Sequence, residues 1–250
     1  MKTCILLTAA LVALIPSAAH AQQPPGINLA WNDCTASVAG GLNATSFCTS
    51  NTAAAKNLYG TYVLPAAGAQ AVAGNDIVMD IATAGVALPC WWNFTLAPRD
   101  AGYAMQFTTP CADANGIGIF NYWGSVPGGP SGSVLVTVLT GRPLLHLTAT
   151  ATVAPSQAGP VPGGVEIYSF TFQLKFDATV GSCTGCLTSA CFVLRMIRVN
   201  QVGLPPIELT TASSRPCVFW QGGAIDAPGC PCFTDPVLNK TWGAVKALYR

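Results

Sequence analysis

The chain has very little charge. Only 8% of its 250 residues are Asp, Glu, Lys or Arg, and the formal net charge is +1. A protein that binds nucleic acid carries a basic excess, and one held electrostatically at a membrane surface carries a basic cluster. Neither feature occurs, so the sequence excludes a nucleic-acid partner. A net charge this close to zero also favours self-association.

Residues typical of catalysis are scarce as well. His146 is the single histidine after residue 20, and strand alternation places it on an outward face among threonines. No GxSxG elbow, phosphate loop, dinucleotide fingerprint or EF-hand loop is present. Paired carboxylates remain an alternative, since a glycoside hydrolase needs only two of them, but no pair stands out. We therefore predict no catalytic residue, no cofactor and no metal site.

Long apolar runs are confined to the amino terminus. Lys2, the mostly apolar stretch 5–15 and Ala19-His20-Ala21 form the three parts of a cleavable export signal. The stretch is too short to cross a bilayer, which takes about 20 residues. We predict a signal peptide over 1–21, a single mature domain over 22–250 without a membrane span, and a secreted or periplasmic location.

Cysteine is abundant in what remains. Cys4 leaves with the signal, and ten cysteines stay, an even number that predicts disulfides in an oxidising compartment. We expect Cys34 and Cys48 to close a polar loop, while Cys90 and Cys111 border two predicted strands. The spacing leaves the remaining connectivity open. The full predicted set is Cys34, Cys48, Cys90, Cys111, Cys183, Cys186, Cys191, Cys217, Cys230 and Cys232.

One cysteine pair has a spacing with two further interpretations. Cys183-Thr184-Gly185-Cys186 has the CxxC form of redox sites, and with Cys191 it could form half of a zinc site. A redox CxxC sits at the start of a helix, whereas this one lies in a Gly/Ser/Thr loop before a strand. A structural disulfide loop is the prediction that we favour.

Period-2 alternation dominates the local pattern. Residues 166–177 alternate apolar and polar side chains, and two further alternating runs flank Gly141-Arg142-Pro143 as a hairpin. Other predicted strands cover 58–64, 76–82, 87–96, 103–108, 191–199, 206–211 and 217–221. With Gly/Pro turns between them, they predict an all-β antiparallel β-sandwich, jelly-roll or immunoglobulin-like, with a short C-terminal helix after Asp235-Pro236.

Aromatic residues give one candidate binding site. If 87–96 is a strand, Trp92 faces the core and Trp91 faces outward beside Asn93, an arrangement that stacks on sugar rings. The candidate ligand-binding residues are Trp91, Asn93, Tyr122, Trp123 and Trp220. The alternative is that a loop or a second sheet covers Trp91.

Four segments of the sequence are similar to segments of other secreted proteins. They are residues 27–34 with the sequence INLAWNDC, Thr184-Gly185-Cys186, Trp220-Gln221-Gly222-Gly223 and the last ten residues, TWGAVKALYR. Together they resemble a group of uncharacterised secreted bacterial proteins, and this resemblance implies secretion but no activity. We predict a noncatalytic structural or interaction module of unknown partner, a polysaccharide or another surface protein. The alternatives are a carbohydrate-binding module that uses Trp91 and a carboxylate-dependent glycoside hydrolase.

Overall fold

Alternating apolar residues form strands through most of the chain. The computed structural model describes residues 24–34, 44–48, 54–83, 87–108, 119–139, 141, 143–176, 183 and 185–222. The predicted signal peptide, the predicted C-terminal helix, Cys111, Cys230 and Cys232 lie outside these residues. The strands are β1 (Gly26–Trp31), β2 (Thr45–Ser46), β3 (Lys56–Val63), β4 (Ala69–Thr83), β5 (Tyr103–Gln106), β6 (Ser131–Val138), β7 (Leu144–Thr152), β8 (Gly159–Val161), β9 (Glu166–Leu174), β10 (Ala190–Gln201), β11 (Leu204–Leu209) and β12 (Cys217–Trp220). Short 3-10 helices cover Cys90–Trp92, Arg99–Ala101, Trp123–Ser125 and Pro155–Gln157.

The strands form two sheets. The small sheet has the order β1-β3-β9-β5, and the large sheet has the order β2-β12-β10-β4-β7-β6, with β11 paired to β10 and β8 to β4. All these pairs are antiparallel except the two-residue pair of β2 with β12. The predicted all-β antiparallel fold is confirmed, and so is the hairpin around Gly141, which joins β6 to β7.

Aromatic rings fill the space between the sheets. Phe172 on β9 of the small sheet lies 6.1 Å, centroid to centroid, from Phe192 on β10 of the large sheet. Trp31 on β1 meets Phe192 edge-on at 5.1 Å and Trp220 on β12 at 5.6 Å. All four side chains are buried. Large rings from both sheets therefore form one shared core, whose burial drives their association.

The structure corrects the predicted exposure of β9. The alternation predicts that Ser169 and Thr171 face solvent, but both are buried. The pairing of β3 with β9 shifts register between Gly60 and Thr61, which breaks the strict alternation. Ser169 then accepts a 3.3 Å hydrogen bond from Asn75 of the large sheet, and Thr171 pairs with the Tyr168 hydroxyl at 2.9 Å. The polar side chains of this strand thus have partners inside the protein.

Gly60 is required at this point of the small sheet. It lies directly opposite Phe170, whose ring occupies the space that a Cβ on residue 60 would fill. We expect Gly60→Ala to lower the free energy of unfolding by about 1–3 kcal/mol, because the added methyl overpacks the core. Urea unfolding measures this change, and combination with Phe170→Leu should recover part of it. Gly159→Ala is the matched control, since its Cβ would meet Tyr122 at 3.6 Å, an ordinary contact. Equal losses in the two glycine variants would contradict this account.

Candidate functional site

The segment around Trp91 is not a strand. Cys90–Trp92 form a 3-10 turn in which the Asn93 amide donates to the Cys90 carbonyl at 3.0 Å. Side chains in such a turn do not alternate between two faces, so the prediction that Trp91 faces outward is wrong. The side chain of Trp91 is 0% exposed. The strand predicted over 87–96 is likewise wrong.

Trp91 belongs to the aromatic core. Its ring stacks on Trp220 with the centroids 5.8 Å apart, and the guanidinium of Arg99 lies 4.3 Å from its ring centroid. Trp123 is buried too, 5.0 Å from the ring of Tyr122. The four predicted aromatic residues are therefore buried packing residues, and the support that an outward Trp91 gave to sugar binding is withdrawn.

Tyr122 and Asn93 have local structural partners. The Tyr122 hydroxyl donates to the Val72 carbonyl at 2.7 Å and accepts from the Gly159 amide at 2.9 Å. Burial raises the pKa of this phenol, and the Gly159 bond lowers it by a smaller amount. The side-chain oxygen Oδ1 of Asn93 accepts from the hydroxyl of Thr95 at 2.7 Å and from the backbone amide of Thr95 at 3.2 Å. The Tyr122 contacts join its loop to β4 and β8, whereas the Asn93 contacts stay within its own loop. Neither set forms a binding platform.

The CxxC cysteines are divided between two disulfides. Cys183 is bonded to Cys90 and Cys186 to Cys48, with Cα–Cα distances of 5.3 and 6.0 Å. The expected closure of a loop by Cys34 and Cys48 is therefore wrong. The CxxC contains no dithiol that could cycle with itself, which supports the structural interpretation.

Three further cysteines also take part in disulfides: Cys34, Cys191 and Cys217. All seven cysteines within the described segments are therefore oxidised. Disulfides persist in oxidising compartments and are rare in the cytosol of most cells. This oxidation state fits the extracytoplasmic environment that the sequence predicts.

The outer face of the large sheet brings together charged residues that are far apart in the sequence. Directly opposite residues in antiparallel strands point to the same side of a sheet, so the register defines rows across it. One row runs Thr150–Asp76–Arg198–Glu208 across β7, β4, β10 and β11. Another runs Thr137–His146–Asp80 across β6, β7 and β4. We call Asp76, Asp80, His146, Arg195, Arg198 and Glu208 the charged face.

Asp80 is the centre of the second row. One carboxylate oxygen lies 2.7 Å from Nδ1 of His146, and the other accepts from Nε of Arg195 at 2.9 Å. Arg195 sits at the register shift between Leu194 and Met196, which directs its side chain toward the row. The carboxylate is mostly covered, while the side chains of His146 and Arg195 are 37% and 48% exposed. The predicted outward position of His146 is confirmed.

The first row is built in the same way around Asp76. Its carboxylate accepts from Nδ2 of Asn200 at 2.9 Å and from the Thr150 hydroxyl at 3.2 Å. Arg198 and Glu208 form a solvent-facing ion pair with 3.6 Å between Nε and Oε1. Residues 76 and 80 are four positions apart on β4, which is about 13 Å at the rise of a strand. This separation exceeds the roughly 9.5 Å limit for paired carboxylates in glycosidases.

The Asp80–His146–Thr137 row has the residue order of a nucleophilic triad. No hydrogen bond joins the Thr137 hydroxyl to the imidazole in the described part of the chain, and Arg195 occupies the second oxygen of Asp80. Such chemistry also needs free amides that stabilise an oxyanion. The Thr137 amide bonds to β7, and the amides on either side of it lie in the plane of the sheet and point to its edge, away from the outer face that carries the row. The row therefore fits a polar contact surface better than an acyl-transfer site.

Comparison with known protein families, with curated proteins and with solved structures finds no match to the chain. In the residues that the structure describes, no helix is long and apolar enough to cross a membrane. The same residues contain no group of three or more His, Cys, Asp or Glu that could hold a metal ion.

Sequence reasoning missed the charged face because no local signal indicates it. Asp80 and His146 are 66 positions apart, and Arg195 lies a further 49 residues along the chain. The alternation of β7 correctly predicts that His146 faces outward. Its carboxylate partner follows only from the register of β4 with β7.

Proposed function

We propose that this protein is a secreted, noncatalytic interaction module that contacts its partner through the charged face. The observation that carries the proposal is the concentration of charge. In a chain with 8% charged residues, five charged side chains and the one histidine of the mature sequence gather on one open sheet face.

The geometry of this face favours recognition. Asp80 and Asp76 each hold two neighbouring polar groups in place, so the face is preorganised before a partner arrives. Preorganisation reduces the entropy that binding costs. The outer ends of Arg195, Arg198 and Glu208 remain exposed and can form charge-assisted hydrogen bonds with a polar protein surface.

A binding experiment with matched charge changes tests the proposal. Biotinylated proteins from the extracellular fraction of the producing cells serve as the probe against the immobilised mature protein. We expect saturable binding that weakens as salt rises, because exposed charges are screened. The double variant Arg195→Gln/Arg198→Gln should weaken it at least about tenfold, the effect of losing roughly 1.4 kcal/mol of binding free energy.

The control removes two cations from elsewhere. Lys56→Gln/Lys175→Gln changes the net charge by the same amount but lies on or beside strands of the small sheet. Equal loss of binding in both double variants would overturn the charged face as the contact surface. Hydrolysis of p-nitrophenyl acetate that disappears in His146→Asn would overturn the noncatalytic assignment.

A further inference from the structure

Strand β6 forms one edge of the large sheet and carries apolar residues that are incompletely covered. Within the described residues, β6 pairs only with β7. Leu135 on its outer face is 66% exposed. On the inner face, Val134, Val136 and Val138 pack against the core but are only partly buried. A strand added at this edge would cover all four side chains.

The backbone of β6 has hydrogen-bonding groups directed away from the sheet. The Leu139 amide donates to the Leu144 carbonyl at 3.0 Å, so residue 139 faces β7. Amide and carbonyl groups alternate in direction along an uninterrupted strand, and the register of β6 with β7 contains no shift. Ser133, Leu135 and Thr137 therefore bond to β7. The backbone groups of Val134 and Val136 point away from β7, to the side of β6 where no strand of the described residues pairs with it.

Features that normally protect a sheet edge are missing from this strand. Edge strands are usually blocked by lysine, proline, a bulge or an inward-pointing charge. Ser131–Val138 contains none of these over its eight residues. Because the strand is uncharged, two copies of it can approach each other without like-charge repulsion.

We propose that β6 pairs with β6 of a second copy, antiparallel about a two-fold axis at Leu135. Opposed residues must share a face of the sheet, and this register satisfies that requirement along the strand. Leu135 then faces its own counterpart as a non-hydrogen-bonded pair, where side chains are closest. Val134 exchanges both backbone hydrogen bonds with Val136 of the other copy. The two large sheets become one continuous sheet.

The pairing closes on itself. An isologous contact uses the β6 edge of both copies, so no β6 edge remains with which a third copy could pair. At the opposite edge of the large sheet, β2 is only two residues long and offers little backbone for further addition. The expected assembly is a dimer and not a fibre. The inference is independent of the proposed function, because the edge strand contributes no residue to the charged face.

Sedimentation equilibrium of the oxidised mature protein tests the dimer. We expect a reversible monomer–dimer equilibrium, and Leu135→Lys should raise its dissociation constant at least about tenfold by opposing two ammonium groups at the axis. Leu135→Glu should do the same. An equimolar mixture of the two variants should recover the dimer, because opposite charges then meet. Since residue 135 is exposed, neither change disturbs the core.

A control and an independent readout complete the design. Leu187→Lys alters another exposed leucine, 77% exposed and outside the strands, and should leave the dimer intact. Amide hydrogen exchange should slow at Val134 and Val136 as protein concentration rises, while Leu135 is protected throughout. A monomer at all concentrations would overturn the proposal. So would a dimer that Leu135→Lys leaves unchanged, or growth into open-ended polymers. Loss of the charged-face contact with the dimer intact would refute the proposed function alone.

Discussion

Replacement of Arg99 by methionine is expected to lower the free energy of unfolding by about 3–5 kcal/mol, since two or three buried carbonyls lose a charged donor at roughly 1–3 kcal/mol each. Arg99 is 0% exposed. Its guanidinium donates to the carbonyls of Trp91 and Lys175 at 2.8 and 2.9 Å, and more weakly to Gly102 at 3.5 Å. It also lies against the rings of Trp91 and Phe94. One side chain thus joins the loop that carries Trp91 to the chain leaving β9.

The measurement is denaturant unfolding followed by tryptophan emission. Arg99→Met should shift the midpoint to lower denaturant. The midpoint of Arg99→Lys should fall between those of Arg99→Met and the native protein, because a single ammonium group cannot reproduce the planar set of donors of a guanidinium. Arg195→Met is the control, because its side chain is half-exposed and Asp80 keeps its contact with His146, so the loss should stay within about 0–1 kcal/mol. If Arg99→Met and Arg195→Met unfolded at the same denaturant midpoint, the claim that Arg99 stabilises the protein by joining these two segments would be wrong.

The sequence predicts most of the strands because a strand's own side chains carry the signal. Val134, Val136 and Val138 recur at every second position, which is the period of a strand, and Gly141 then turns the chain into β7. The hairpin is local, so its pattern is complete within about twenty residues. Ser169 shows the limit of this reasoning, since a register shift with β3 turns a residue expected at the surface into a core contact.

The failure at Trp91 has a different cause. Its neighbours Leu88, Cys90, Trp92 and Phe94 satisfy the alternation of a strand, yet the segment forms a 3-10 turn held by the Cys90–Cys183 disulfide and capped by Arg99. Both constraints come from outside the segment. An arginine is rarely buried, so composition gives no hint that Arg99 packs on a tryptophan. Tertiary partners thus decided the orientation of the candidate ligand residue.

The second large effect is expected from the two disulfides that hold the segment 183–186. The Cys90–Cys183 bridge has a sequence separation of 93 residues, and the Cys48–Cys186 bridge one of 138. When one bridge is already formed, it brings the ends of the other closer along the chain, so the second bridge closes a loop of only about 45 residues. A loop of that length corresponds to about 4 kcal/mol in the chain-entropy model. Cys90→Ala/Cys183→Ala and Cys48→Ala/Cys186→Ala should therefore each cost about the same, within the usual range of roughly 2–5 kcal/mol.

Removal of both disulfides should lower the free energy of unfolding by more than the sum of the two separate removals. When one disulfide has been removed, the remaining one closes its full loop. Its contribution to the free energy of unfolding is then larger by a few tenths of a kcal/mol to about 1 kcal/mol. The total then approaches the whole stability of a typical domain, roughly 5–15 kcal/mol. We expect the quadruple variant to be largely unfolded at room temperature by circular dichroism, while each double variant keeps its sheet signal.

Peptide mapping of the unreduced protein provides the control for this prediction. Linked peptides containing Cys48 with Cys186 and Cys90 with Cys183 are the expected products. A peptide with Cys183 bonded to Cys186 would contradict the pairing and restore a redox role for the CxxC. Because both bridges hold the same four-residue segment, which leads directly into β10, they fix the start of the strand that carries Arg195 and Arg198. Under the proposed function, the disulfides would help binding by holding the strand that carries two residues of the charged face. The double variants should therefore bind the partner more weakly under conditions in which they are still folded.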